Sequence, residues 1–259
     1  MASGATFKRY FAESYQPMRK FFSKLKGDLK QLFGYPDCQY GVEFTVDYAA
    51  YWKRRRGDRE AYFSPWQKIR ADRTLRIIEP GSSVIDLGCG DGAVLGYLKE
   101  QANISGIGVD MDRRMLDKAC QLGIETIEMD IGDIEKIKTL PETDYILGFE
   151  IFEHIPNPER LLCHLMSKAR KGIIFSVPNT GYYAHRLRLL FGKFPLQWIV
   201  HPGEHLRFWT ARDMKFWVRS MGLDLKRLIL YEGLPVLNKI SSSLFSQGMI
   251  IHIAKYVRH

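Results

Sequence analysis

The chain has 259 residues, with 46% hydrophobic and 26% charged residues and a formal net charge of +9. This composition fits one large α/β domain with additions and excludes a collagen-like, wholly disordered or disulfide-scaffold chain. No apolar run reaches the ~18–20 residues of a membrane span. The N-terminal stretch lacks the apolar core of a signal peptide. The four cysteines, Cys38, Cys89, Cys120 and Cys163, show no CxxC spacing, so reduced thiols in a cytoplasmic protein are expected. Charge is unevenly spread. Residues 1–76 hold 16 Lys/Arg against 8 Asp/Glu, residues 82–160 hold 7 against 16, and residues 181–219 hold 7 against 2. Basic flanks around an acidic centre attract phosphates, acidic lipids or nucleic acid, or simply form a solvated surface.

Residues 7–34 interleave aromatic and basic side chains, from Phe7, Tyr10, Phe11 and Tyr15 onward. Phe21/Phe22, Leu25, Leu29 and Leu32/Phe33 recur at helical spacing, which predicts an amphipathic helix that packs on the domain or lies on an anionic membrane face. Gly34–Asp37 reads as a turn. Residues 51–76 read as a helical lead-in broken near Gly57 and Pro65. The first 76 residues are thus a basic helical extension, and residues 77–259 the main domain.

From Pro80 onward apolar strands alternate with helices. Strands are expected at Ser83–Leu87, Ser105–Asp110, Ile124–Met129, Tyr145–Phe149 and Gly172–Val177. Helices fall at Ala93–Glu100, Arg113–Leu122, near 132–138 and near 158–170. Repeated βα units imply a parallel sheet covered on both faces. Residues 178–209 form a long insertion. Thr210-Ala-Arg-Asp213 starts a helix whose apolar face is Met214, Trp217, Val218 and Met221, with Gly222 as its stop. Leu223–Tyr231 and Met249–Tyr256 are the last two strands.

The strongest motif is Val84-Ile-Asp86-Leu-Gly88-Cys89-Gly90-Asp91-Gly92-Ala93. A buried strand runs into a glycine-rich turn and then a helix, and such turns let backbone approach a ligand at the strand's carboxyl end. Gly88-x-Gly90-x-x-Ala93 also fits a dinucleotide fingerprint. However, Asp86 and Asp91 would repel a pyrophosphate, whereas they suit a cofactor bearing an amino group and a sulfonium.

Asp86, Gly88, Gly90 and Gly92 resemble the first motif of class I S-adenosylmethionine (SAM)-dependent methyltransferases. The resemblance spans roughly residues 80–255. It implies a seven-stranded, doubly wound α/β (Rossmann-like) sheet with an antiparallel last strand. It further implies that the Gly88-Cys89-Gly90 turn faces the cofactor. Asp110 with Met111 would hold the ribose, Asp130 with Ile131 the adenine, and Glu150 would contact the cofactor from the fourth strand. Tyr51, beside Trp52, would cover it. Glu150-Ile-Phe-Glu153-His154 resembles the segment after the fourth strand in ubiquinone-type O-methyltransferases. Ser176-Val-Pro-Asn179 followed by Tyr182-Tyr183 resembles the MetW-like group, and His205-Leu-Arg207-Phe-Trp209-Thr210 resembles a segment common to both. The Asn-Pro-Pro-Tyr motif of amide and adenine N-methyltransferases is absent, which argues against DNA-adenine methylation.

Glu150, Glu153 and His154 share one face if residues 150–155 are helical, and His205 can converge on them from the insertion. His154 or His205 then serves as a general base for a hydroxyl proton. The alternatives are a divalent-metal site and a purely structural role. Mg²⁺ prefers oxygen ligands, so a His-containing set is not ideal for it. Arg186, Arg188, Lys193, Tyr182, Tyr183 and Trp198, with His205, Arg207 and Trp209 on one side of an extended segment, suit a ring-bearing acceptor with an anionic group. For Trp209, core packing is the stronger reading. The sequence thus predicts a SAM-dependent O-methyltransferase acting on a small, glycan-type or lipid-linked anionic acceptor, with peripheral contact at the inner membrane face as a further expectation. The rivals are a MetW-like partner of an acyltransferase in methionine synthesis, and an RNA methyltransferase supported by charge alone.

Overall fold

The computed structural model describes residues 4–35, 63–197 and 203–255, with side chains from Met18 onward. Tyr51, Trp52, Trp198, Cys38, Pro36–Asp37, Gly57 and Tyr256, and the side chains of Phe7, Tyr10, Phe11 and Tyr15, lie outside the described residues.

Seven strands form one sheet: β1 (Ser83–Leu87), β2 (Ser105–Asp110), β3 (Glu125–Glu128), β4 (Thr143–Phe149), β5 (Ala169–Pro178), β6 (Leu223–Tyr231) and β7 (Gly248–Lys255). Their order is β3-β2-β1-β4-β5-β7-β6. The first five are parallel, and β7 runs antiparallel to both β5 and β6. This is the doubly wound sheet with an antiparallel last strand that the sequence predicts. Its strand order reverses between β1 and β4, where the carboxyl ends of the strands open a crevice.

The alternating pleat divides the core into two layers. Ile85, Leu87, Ile146, Ile173, Phe175, Met249 and Ile251 point to one face, and Val84, Tyr145, Leu147, Ile174 and Ile250 to the other. The helices follow as α1 (Gly4–Phe33), α2 (Pro65–Thr74), α3 (Ala93–Ala102), α4 (Arg113–Gln121), α5 (Ile134–Ile137), α6 (Pro158–Lys168), α7 (Tyr183–Leu190), α8 (Ala211–Ser220), α9 (Leu237–Ile240) and α10 (Ser242–Phe245). Leu161, Leu162 and Leu165 of α6 and Met214 and Val218 of α8 cover the first face. Leu95 and Leu98 of α3 and Ala71 of α2 cover the second. Capping boxes start α2 (Ser64 with Gln67) and α8 (Thr210 with Asp213), satisfying amide groups that a helix start leaves unpaired.

The basic lead-in is thereby divided. Residues 63–74 enter the core through Phe63, Trp66, Ile69 and Ala71. Helix α1 instead rests on α7, held by two buried charged groups. The Asp28 carboxylate, 2% exposed, accepts hydrogen bonds from the Tyr182 and Tyr183 hydroxyls at 2.6 and 2.9 Å and pairs with Lys24. The Arg188 guanidinium, 1% exposed, donates to the main-chain carbonyls of Gln31, Leu32 and Gly34 and, at 2.9 Å, of Phe194. Lys193 adds a bond to the Phe33 carbonyl. A cation on the last carbonyls of a helix satisfies orphan acceptors and opposes the helix dipole.

Asp28→Ala strands two phenol hydroxyls, each with a penalty of about 1–3 kcal/mol. Amide exchange of residues 18–33 is expected to accelerate about tenfold or more, while the strands of the sheet keep their protection. Hydrogen-exchange mass spectrometry of the full chain reads both.

Candidate functional site

The site forms where β1, β2 and β4 end together. The turn after β1 closes on β2: the Gly88 and Cys89 amides donate to the Val109 carbonyl at 2.7 and 3.0 Å, and the Gly90 amide donates to Asp110 Oδ2 at 2.9 Å. Asp110 Oδ1 accepts from the Asp112 amide at 2.9 Å. Asp110 therefore shapes the turn while each oxygen keeps a second lone pair. Gly88 is required twice over. Its φ is +66°, and a Cβ there would stand 2.3 Å from Ile151 Cδ1, so the segment after β4 packs directly on the glycine turn.

Asp86 is buried beneath this turn, and its carboxyl is pushed up to about 7 by burial and by the Asp110 charge, against the pull of Arg70. Cys89 does not direct its side chain to the turn's open side. Its Sγ packs where a Cβ on Gly108 of β2 would come within 2.7 Å, and burial raises its thiol well above the usual range. Only its backbone belongs to the turn surface. Met111 is 67% exposed. Asp130 is exposed, with Oδ1 accepting from the Gly132 amide at 2.8 Å, and Ile131 packs against the core beside it.

One expected geometry fails. Glu150 has φ +57°, and only Phe152–His154 forms a helical turn, a single one of 3₁₀ type. Glu150 therefore shares no helical face with Glu153 and His154, although its charge reaches both. Its Oε1 accepts from Ser176 Oγ at 2.7 Å and lies 3.6 Å from Arg70 Nη1. The group that does converge is Glu153, His154 and His205, whose ligand-type atoms lie within 4.8 Å of one another. The two imidazoles meet edge to face at 4.8 Å.

The insertion delivers His205. After α7 the chain returns across the turn, and the Leu206 and Arg207 amides both donate to the Glu153 carbonyl, at 2.7 and 3.2 Å. His154 Nδ1 is bonded to the Glu204 carbonyl, which requires a proton on Nδ1 and leaves Nε2 as an acceptor. Burial lowers the His154 pKa, and burial with the neighbouring His154 pushes His205 down to about 3. Both rings are neutral at pH 7. Glu153 is 1% exposed, and neither of its oxygens has a hydrogen-bond partner. Burial and the Glu150 charge raise it well above the carboxylate range.

The substrate cations expected in the insertion are otherwise employed. Arg188 and Lys193 hold the end of α1, and the Tyr182 and Tyr183 hydroxyls are bound to Asp28. Of the two arginines of that helix only Arg186 is exposed, with Nε donating to the Gly181 carbonyl. Trp209 is buried against Trp217. Arg70 and Ser176 are residues that sequence reasoning missed. Arg70 looked like any other member of a basic segment, and only the packing of α2 shows that it points toward the strand ends. Its buried Nε has no acceptor.

The model of the family described as "Methionine biosynthesis protein MetW" matches residues 70–233. The chain is similar to a ubiquinone biosynthesis O-methyltransferase of Stutzerimonas stutzeri, 28% identical over 185 residues, spanning 66% of this chain and 79% of that protein. It is also similar to a bifunctional methionine biosynthesis protein MetXA/MetW of Rhodopirellula baltica, 27% identical over 163 residues, 57% of this chain and 26% of that protein. A solved SAM-dependent methyltransferase of Archaeoglobus fulgidus shares the fold with a TM-score of 0.56 and 21% identity, covering 80% of this chain and 100% of that one. A second, from Clostridium acetobutylicum, has a TM-score of 0.54 at 14% identity, covering 81% and 98%.

Asp86 binds its proton more tightly in the folded protein, at about 7, than in the unfolded chain, at about 3.9. Its contribution favours the folded state fully below pH 4 and is lost as pH rises toward 7. Denaturant titrations of the ligand-free protein are expected to show stability falling over that window, with a shallower fall for Asp86→Asn. Gly88→Ala is expected to destabilise by about 1–3 kcal/mol through strain and overpacking, read as a lowered thermal midpoint.

Proposed function

The chain belongs to the MetW family, and we propose that it is a SAM-dependent methyltransferase acting on a hydroxyl group of a small or lipid-linked acceptor. The observation that carries this reading is the adjacency of two sites joined by the Gly88–Ile151 contact. One is a glycine turn flanked by carboxylates. The other is a neutral imidazole pair with a free Nε2.

The residues fit the cofactor. The Gly88-Cys89-Gly90 backbone leaves an open approach, and the remaining lone pairs of Asp110 suit a pair of ribose hydroxyls. Met111, Asp130 and Ile131 border the place for a base, with Asp130 as acceptor for an exocyclic amine. The orphan Nε of Arg70 suits an α-carboxylate, and Asp86 and Glu150 suit an ammonium and a sulfonium. When bound, SAM supplies an electrophilic methyl group. The chain's own part is to orient the acceptor, exclude water and take a proton.

His154 is the base of this proposal, receiving the acceptor's hydroxyl proton at Nε2 while the Glu204 carbonyl fixes its tautomer. His205, too weakly basic to compete at neutral pH, lies beside it. Glu153, His154 and His205 also have the donors to hold a divalent cation, which the unpartnered Glu153 oxygens would suit, and such an ion would stabilise an alkoxide. Burial favours the uncharged form of all three groups, and this supports proton acceptance at a neutral imidazole.

The name of the Rhodopirellula baltica relative supports a second reading, in which the chain is the partner of an acyltransferase in methionine synthesis. Copurification of such an enzyme, together with no methyl transfer to any cell-extract component, would establish it instead.

Three measurements test the first reading. SAM affinity by calorimetry is expected to rise as pH climbs from 5 through 7, because a cationic ligand needs Asp86 without its proton; Asp86→Asn is expected to bind more weakly and lose that dependence. Asp110→Ala should weaken binding by about 1.5–3 kcal/mol. His154→Ala is expected to lower kcat by about 10²–10⁴ with SAM affinity unchanged, and wild-type turnover to survive EDTA. Loss of turnover in EDTA, restored by a divalent ion, would reassign the cluster as a metal site.

A further inference from the structure

Helix α1 carries two apolar stripes. Phe21, Leu25, Asp28 and Leu32 lie at helical spacing, with Asp28 and Leu32 buried and Phe21 and Leu25 half-buried. This face is accounted for by the contact with α7. The second stripe, Met18, Phe22, Leu29 and Phe33, follows the same period about 100° around the axis. Its four side chains are between 51 and 67% exposed. Arg19, Lys26 and Lys30 are exposed beside it.

A second element joined to α1 is also apolar at its surface. Arg188 and Lys193 fasten the carboxyl end of α1 to α7 and the segment after it. In that stretch Leu189, Leu190, Phe191 and Phe194 are between 51 and 75% exposed. Exposed large apolar side chains scattered singly need no explanation, but this concentration on two joined elements does.

Charge identifies the occupant. Asp28 is the only acid from Met18 to Tyr35, and it is buried; from Tyr183 to Gln197 there is none. A surface that is apolar and basic, with no exposed acid, does not suit a second copy of itself, because the pairing would set like charges against each other. It does not suit nucleic acid either, which offers phosphates but nothing for an aliphatic stripe. A bilayer with anionic headgroups takes both components at once: acyl-chain boundary for Phe22, Leu29, Phe33, Leu190 and Phe191, and headgroup charge for the lysines. We propose that the exposed stripe of α1 and the end of α7 together dock the protein on an anionic membrane surface. The insertion that carries α7 also carries His205, so the docked surface and the candidate site are parts of one segment. Resting on the methyltransferase reading, this makes the acceptor a membrane-resident amphiphile with a hydroxyl group.

Flotation of the full chain tests the docking. Vesicles of phosphatidylcholine with and without phosphatidylglycerol are compared at low and high salt. Wild-type protein is expected to float with anionic vesicles, less so at high salt, and not with neutral ones. Leu190→Glu/Phe191→Glu and, separately, Lys26→Glu/Lys30→Glu are expected to weaken binding about tenfold or more, with SAM affinity unchanged as the check on folding. Absence of wild-type flotation on anionic vesicles, or undiminished flotation of the Leu190/Phe191 variant, overturns the proposal. So does a concentration-dependent dimer, abolished by the same substitutions, with no vesicle binding. Failure of the enzymatic reading would appear in SAM binding and turnover and leave flotation untouched.

Discussion

Four carboxyl groups, Asp86, Asp110, Glu150 and Glu153, are brought together because parallel strands end at one level: Asp86 and Asp110 lie on β1 and β2, and Glu150 and Glu153 follow β4. Burying like charges side by side is expensive. The fold meets that expense by raising the proton affinity of the two most buried members, Asp86 and Glu153, and by bringing Arg70 in from α2. The remaining two are held by hydrogen bonds, Asp110 by the Gly90 and Asp112 amides and Glu150 by Ser176. A site built this way favours a cationic ligand, since positive charge entering the crevice lets a proton leave. The same crowding explains why a pyrophosphate would be poorly received by a turn whose glycine spacing alone permits it.

The insertion between β5 and α8 has two jobs at its two ends. Its first half, with buried Arg188 and the Tyr182/Tyr183 pair, is a platform for α1. Its return segment bonds to the Glu153 carbonyl and sets His205 against His154. Ahead of both, Asn179 is fully buried, with its side-chain amide donating to the Ser243 and Ser246 carbonyls at 3.0 and 2.8 Å. The loop after β5 is thereby tied to the connection between β6 and β7. What extends from the sheet is anchored, and its exposed apolar residues are held out by structure that has no need of them.

The βα alternation was legible because strands buried on both faces read as continuous apolar runs and their helices carry period-3.6 faces. The glycine turn was legible because Asp-x-Gly-x-Gly-x-Gly has few other uses, and the approach of His205 was legible from its place in the insertion. The rest depended on information a linear pattern lacks. Backbone dihedrals are one case: nothing in Phe149-Glu150-Ile151 announces φ +57° at Glu150, and that single angle removes it from the face it would share in a helix. Burial is another. Arg186, Arg188 and Lys193 look equivalent in sequence, yet Arg188 is the one whose guanidinium is enclosed by carbonyls of α1. Arg70 among the arginines of the lead-in poses the same problem, solved only when α2 packs on the sheet.

The short turn after β4 shows how the two halves of the site are kept in register. Ile151 fills the space that a side chain on Gly88 would take. Phe152 is fully buried, 4.7 Å from Phe175, and crosses Gly148 so closely that a Cβ there would meet its ring at 2.9 Å. Glu153 receives the returning insertion through its carbonyl, and the His154 amide closes the turn on the Ile151 carbonyl at 2.9 Å. Each residue from Ile151 to His154 is thus fixed by a different neighbour: the glycine turn, the core of the sheet, the insertion and the turn itself. Bimolecular displacement at carbon is sensitive to misplacement of its partners by fractions of an ångström, and holding both reactants fixed supplies much of the rate. A rigid turn of four residues, with one end on the glycine turn and the other carrying an imidazole of fixed tautomer, provides that constraint.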